Sequence, residues 1–372
     1  MQTSFRLGRI AGVEIGANWS WLIVVALIVW VLAAGVFPES NPGLSGEEHV
    51  AMAVVAAAFF FASLLLHELG HAVQARREGM ELDGITLWVF GGVARFKGRF
   101  PSARAELRIA LAGPLVSLVL GAALLALAAL APLPAAVDGV VFWLGYINLI
   151  LLAFNLLPAL PLDGGRVLRA ALWARRDDFG SATRAAARLG RLFGQVLIGW
   201  GLIVAILGGL IGGIWLAFIG WFVLMAAEGE ARMAAADAAL SGLRVRDVMA
   251  RDPVTVPPDL TLRAFMDDVF LVHRHTSYPV TSDGRALGIL SFREVAGMPR
   301  EEWDRTRARD RMLPSSDVLV VREDQDLAEV APELLQAKGG RALVCEDGRL
   351  LGLLSITDTA RVVEAFGGGG SS

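Results

Sequence analysis

The chain has 372 residues, 55% of them hydrophobic and 19% charged, with a formal net charge of -3 and a mean hydropathy of +0.55. That balance excludes an ordinary soluble domain and gives no basic footprint for nucleic acid. The single cysteine, Cys345, excludes an internal disulfide framework and an all-cysteine metal site.

The opening segment, MQTSFRLGRIAGVEIGANW, leads into an apolar run with no A-x-A-like cleavage site after it. The run is therefore expected to stay as a span. Six apolar stretches follow one another at about 19–37, 51–71, 107–131, 139–160, 194–209 and 211–228. A span needs roughly 20 apolar residues to cross about 30 Å of hydrocarbon. The last two stretches are short and share the joint ILGGLIGG, which allows a tight helical hairpin or one kinked element. The segments 1–18, 72–106 and 161–193 are rich in Arg and Lys, whereas FPESNPGLSGEEH and APLPAAVDG carry neither. The positive-inside rule then places both termini in the cytoplasm of a multi-pass plasma-membrane protein.

The second stretch ends in SLLLHELGHAVQARREG, Ser63 to Gly79. His67, Glu68 and His71 form H-E-x-x-H, a spacing that puts both imidazoles on one helix face with a carboxylate beside them. Ionisable groups inside a span are costly and mark function, although a polar helix end facing solvent would read the same way. Gly70 in mid-helix implies close packing against a neighbour. The other histidines are His49, at the far end of the same stretch, and His273 and His275, in the polar C-terminal part. A third metal ligand is thus expected to be a carboxylate or amide, and Asp163 in NLLPALPLDGGR is the best candidate. Asp163 could instead cap a helix over 166–175. Between these motifs, ITLWVFGGVARFKG reads as strand 85–90, a Gly-Gly turn and strand 93–97. One edge of that hairpin could pair with an extended substrate, or Trp88 could anchor it at the interface.

From about 243 the composition becomes that of a soluble domain, and a unit of about 60 residues occurs twice. Each copy is expected to run strand, helix, strand, Asp-Gly turn (SDGR, EDGR), strand, helix. The organisation read from the sequence is a membrane-embedded part at 1–240, repeats at 243–300 and 308–366, and a flexible tail at 367–372.

HELGH inside a span, with LDGG at the end of a later one, resembles the site-2 protease family of intramembrane zinc metalloproteases. LAGPLVSL, Leu111 to Leu118, is similar to that family's small-residue helix motif. The repeats resemble paired cystathionine-β-synthase-type (CBS) domains. The implied fold is an α-helical polytopic membrane domain of about six spans with a short β-hairpin, followed by an α/β tandem CBS pair. The resemblance implies one zinc ion held by His67, His71 and Asp163, Glu68 as general base, and Asn155 positioning substrate or stabilising an oxyanion. Asn155 could equally bond a neighbouring helix. It further implies that Asp358, with Ser355 and Thr357, binds the ribose of an adenine nucleotide, whereas Glu294 departs from the pattern in the first repeat. The alternative is a purely structural pair that makes a homodimer.

The implied activity is hydrolysis of a single-span protein in the lipid bilayer, such as an anti-sigma factor or pro-transcription factor, with no direct nucleic-acid contact. The competing reading is a non-catalytic metal-binding regulator or transporter controlled by the CBS pair. Glu68 discriminates, since a transporter has no evident use for a base beside H-x-x-x-H.

Overall fold

The computed structural model describes residues 4–10, 12–88, 91–96, 98 and 100–367. The chain forms two compact units, Met1–Arg232 and Met233–Ser372.

The first unit begins with two strands, β1 (Phe5–Ile10) and β2 (Val13–Ala17). Helix α1 (Ser20–Val31) then runs through a π-helical stretch, Leu32–Val36, into α2 (Phe37–Ser40), and together they make the first apolar span. Helix α3 (Gly46–Arg77) starts at a capping box, in which Ser45 Oγ accepts from the Glu48 amide and Glu48 accepts from the Ser45 amide. Its 32 residues extend about 48 Å, longer than the roughly 30 Å of a bilayer's hydrocarbon, and its last turn is basic, with Arg76 and Arg77. Strands β3 (Leu82–Trp88) and β4 (Gly91–Phe96) follow. Helices α4 (Ala103–Leu130), α5 (Ala135–Asn155), α6 (Asp163–Arg176), α7 (Phe179–Ile206) and α8 (Leu210–Leu240) complete the membrane part. Among the described residues six helices are long and apolar enough to cross a membrane, and the short amphipathic α6 is not one of them.

The expected β-hairpin is half of a four-stranded sheet, ordered β1-β2-β3-β4. The segment read from sequence only as an Arg-rich loop supplies the other half. In β2 every second residue, Val13, Ile15 and Ala17, is buried. Val13 and Ile85 pack on Leu69 and Ala72 of α3, so the sheet lies on the helix that carries H-E-x-x-H. The hairpin register also differs from the sequence reading. Trp88 pairs with Gly91 and Leu87 with Gly92, so both glycines belong to β4 and not to the turn. The turn at 89–90 lies outside the described residues, as do residue 97 and the tail at 368–372. Among the described residues β3 is flanked on both sides, and β4 is the edge strand near α3.

The two short apolar stretches are a helical hairpin, α7 and α8, joined at 207–209. A Cβ added at Gly201 would lie 2.5 Å from the Ala217 backbone nitrogen, and one at Gly194 would lie 2.8 Å from the Gly220 carbonyl. Small residues let the two backbones approach closely, as in other membrane helix pairs. Helix α5 stops at Asn155, before Pro158 and Pro161, rather than running on to 160.

In the second unit the two β-hairpins, Ser277–Ser282 with Arg285–Ser291 and Arg341–Glu346 with Arg349–Ser355, join side by side in one sheet. Asp283-Gly284 and Asp347-Gly348 have φ of 50° and 76°, and 49° and 81°, as a two-residue Asp-Gly turn requires. The first strand of the second copy, Leu319–Val321, pairs in parallel with Arg341–Glu346. Its counterpart in the first copy is only a bridge, Val256 to Val280. Pro253, Pro257 and Pro258 around it have no amide to give a ladder.

Candidate metal centre

His67 and His71 lie one turn apart on α3, both buried, at 2% and 5% exposure. Helix α4 orients both rings. Ser117 Oγ lies 2.9 Å from His67 Nδ1, and His71 Nδ1 donates to the Ile109 carbonyl at 2.6 Å. A carbonyl only accepts, so the neutral His71 ring keeps its lone pair on Nε2. Asp163 is the first residue of α6, one past its N-cap Leu162, so it does not stand at the capping position. Its Oδ2 sits 3.2 Å from His67 Nε2 and 3.2 Å from His71 Nε2, and the two Nε2 atoms are 3.2 Å apart.

Three potential donors of lone pairs therefore form a nearly equilateral triangle in a buried site. Unshared, they would repel one another, and a cation removes that repulsion. Zinc–ligand bonds of about 2.0–2.1 Å at tetrahedral angles require donors about 3.3 Å apart, so this set fits one face of a zinc tetrahedron with a vertex left for water. Among the described residues this is the one cluster of histidine, cysteine and carboxylate groups close enough to share an ion.

Glycines leave the space that the centre fills. A Cβ at Gly113 on α4 would fall 2.2 Å from His71 Nε2 and 2.6 Å from His67 Nε2. One at Gly92 on β4 would fall 2.5 Å from Glu68 Cγ. The edge strand thus lies directly against the side chain of Glu68. Gly70 faces the Ala112 carbonyl of α4, and Gly164 lets α6 begin against the Leu156 carbonyl. Arg166, one turn beyond Asp163, brings a positive charge within electrostatic range of Asp163 and Glu68.

Asn155 is half-buried at the end of α5, and no hydrogen bond among the described residues joins it to the cluster. His49 is 18 residues before His67 on the same helix, about 27 Å away, where its Nε2 lies 3.0 Å from the Asn41 carbonyl. Sequence reading missed Ser117, the Ile109 carbonyl and Gly113. The signal for two of them was present, because Gly113 and Ser117 are four apart in LAGPLVSL and share a helix face.

In the second unit, Ser355, Thr357, Asp358, Arg341, Arg361 and His275 line a cavity of about 410 Å³. Asp358 Oδ2 accepts from the Ser355 amide at 3.1 Å and from its hydroxyl at 2.6 Å. Cys345 is buried apart from that cavity, beside Ile289, Val318 and Leu343, and burial pushes its thiol up, away from the nucleophilic thiolate.

The Peptidase family M50 model matches residues 55–134 and 133–197, and the CBS domain model matches 245–299 and 308–365. The chain is 38% identical over 371 residues to Rip3 of Mycobacterium tuberculosis, covering 98% of this chain and 94% of that protein. It is 31% identical over 363 residues to zinc metalloprotease MJ0392 of Methanocaldococcus jannaschii, covering 98% and 97%. The chain belongs to peptidase family M50. This M50 peptidase is a multi-pass zinc metalloprotease with a C-terminal pair of CBS domains. The solved site-2 protease of Methanocaldococcus jannaschii is 31% identical, covers 61% of this chain and 94% of its own, and superposes with a TM-score of 0.43.

Gly113→Ala tests the geometry. Alanine is the better helix former by up to about 1 kcal/mol, which offsets part of the cost of packing its Cβ against the imidazoles, so the variant should still fold. Its Cβ should displace the imidazoles and weaken zinc binding by at least about tenfold, read by chelator competition. Unchanged zinc affinity would contradict this arrangement.

Proposed function

We propose that this M50 peptidase cleaves a peptide bond within or beside the membrane span of a single-span regulator, such as an anti-sigma factor or pro-transcription factor. The supporting observation is the 3.2 Å triangle of His67, His71 and Asp163 with Glu68 beside it on α3. In this reading those three residues hold the zinc. When bound, the metal polarises the scissile carbonyl and lowers the pKa of water toward about 7. Glu68 then takes the proton of the attacking water and returns it to the leaving amine. Asn155 positions the substrate backbone or steadies the developing oxyanion.

A helical substrate hides its peptide bonds, and each unpaired backbone group in hydrocarbon costs several kcal/mol. The free edge of β4 is the candidate surrogate partner, because its Gly92 lies against Glu68. A substrate paired there as a fifth strand would lie beside the base. Strand β3, flanked on both sides, has no edge to offer.

The working division is a protease domain at 1–240 and regulatory repeats at 243–300 and 308–366, with both termini cytoplasmic. Asp358, Ser355 and Thr357 take the ribose of an adenine nucleotide, and Arg341 and Arg361 in the same cavity suit its phosphates. A nucleotide would regulate turnover only through unequal affinity for two states of the protein. The pair also offers a route to a homodimer.

Glu68→Gln should abolish cleavage of a single-span substrate and keep full zinc content. In the same assay, proline scanned through Val93 and Ala94 should reveal one position that cuts turnover with zinc and melting temperature intact, since alternate amides of an edge strand point outward. Cleavage by the Glu68 variant would refute the base, and full turnover in both proline variants would refute the edge. For the CBS pair, calorimetry should show AMP or ATP binding that Asp358→Ala loses, and no heat with wild type would leave the pair as a structural module.

A further inference from the structure

A second buried charged group lies in the membrane unit, outside the chemistry above. Arg169 on α6 is 4% exposed and Glu106 on α4 is 0% exposed. Arg169 Nε and Nη2 both approach Glu106 Oε1 at 2.6 Å, and Nη1 donates to Glu230 Oε2 on α8 at 3.2 Å. The guanidinium also lies over the Phe179 ring, 4.9 Å from its centroid. Glu106 Oε2 is buried with no hydrogen-bond partner among the described residues, so the hydrogen bonds to this carboxylate come from Arg169.

Burying such a group is expensive, and apolar residues of equal volume usually stabilise a fold as well or better. What an arginine fork adds is direction, because its planar donors accept only one relative placement of the helices. The placement matters here. Arg169 is six residues beyond Asp163, about 9 Å along α6. Glu106 is one turn before Ile109, whose carbonyl fixes His71. The ion pair therefore links the helix presenting the carboxylate to the stretch of α4 that orients a histidine. Helix α6 has only 14 residues and is not a span; it packs on α4 and α7, and Arg169 adds the directional side-chain bonds that tie it to α4 and α8.

We propose that Arg169 is a positioning residue for the metal centre: its bonds to Glu106 and Glu230 hold α6 where the Asp163 carboxylate meets His67 and His71. This inference rests on the reading of Asp163 as a ligand.

The test is the zinc dissociation constant of the full-length purified protein, measured by chelator competition with the melting temperature alongside. Arg169→Lys keeps the charge and loses the fork. The double variant Glu106→Leu, Arg169→Met replaces the buried pair with apolar side chains, leaves neither a buried charge nor an unpaired amide there and should melt near wild type, while Glu230 reaches solvent. Both should bind zinc about 10- to 100-fold more weakly, as loss of supporting shells does elsewhere. A purely structural role would make affinity follow melting temperature, so weak zinc binding in the well-folded double variant separates the two. Wild-type affinity in either variant overturns the inference. Asp163→Ala is the control: wild-type zinc affinity there sinks the ligand reading itself, whereas a loss there beside wild-type affinity in Arg169→Lys sinks only the role of Arg169.

Discussion

Two imidazole nitrogens and a carboxylate oxygen, each 3.2 Å from the others in a buried site, are the constraint around which the membrane unit is arranged. Such a set has the donor types and spacing that one zinc ion takes, and three helices together place it. Helix α3 supplies both rings from one face, α4 turns them through Ser117 and the Ile109 carbonyl, and α6 brings the carboxylate. Glycine at 113 keeps α4 close enough to do this without filling the site.

The arrangement also explains why so polar a group survives among apolar spans. Lipid offers no partner for a bare histidine or carboxylate, so each polar atom must find its partner inside the protein. The same logic applies to Glu106, Arg169 and Glu230, where Arg169 donates to both carboxylates across α4, α6 and α8. The exposed apolar side chains of the spans, by contrast, need no partner but lipid. They include Leu115, Val119 and Phe142.

Much of this was legible in the sequence, for reasons that differ by element. The spans declare themselves through length and hydropathy, and H-E-x-x-H through helical spacing, because both depend on neighbours along the chain. Asp-Gly turns are equally local, and both adopt the expected positive φ. Contacts between distant segments left weaker traces. Strand β1 is six residues with a glycine and two arginines, and its pairing with β2 has no local signature. Gly91 and Gly92 resemble a turn, but Gly92 is needed for close approach to Glu68. A backbone acceptor such as the Ile109 carbonyl has no sequence signal at all, and Arg169 and Glu106 are 63 residues apart.

The most direct test of the account is zinc K-edge X-ray absorption on the purified full-length protein. The account predicts only nitrogen and oxygen neighbours at about 2.0–2.1 Å, with multiple scattering from two imidazoles. A spectrum with one imidazole or none, or with sulfur at about 2.3 Å from the single cysteine, would contradict it.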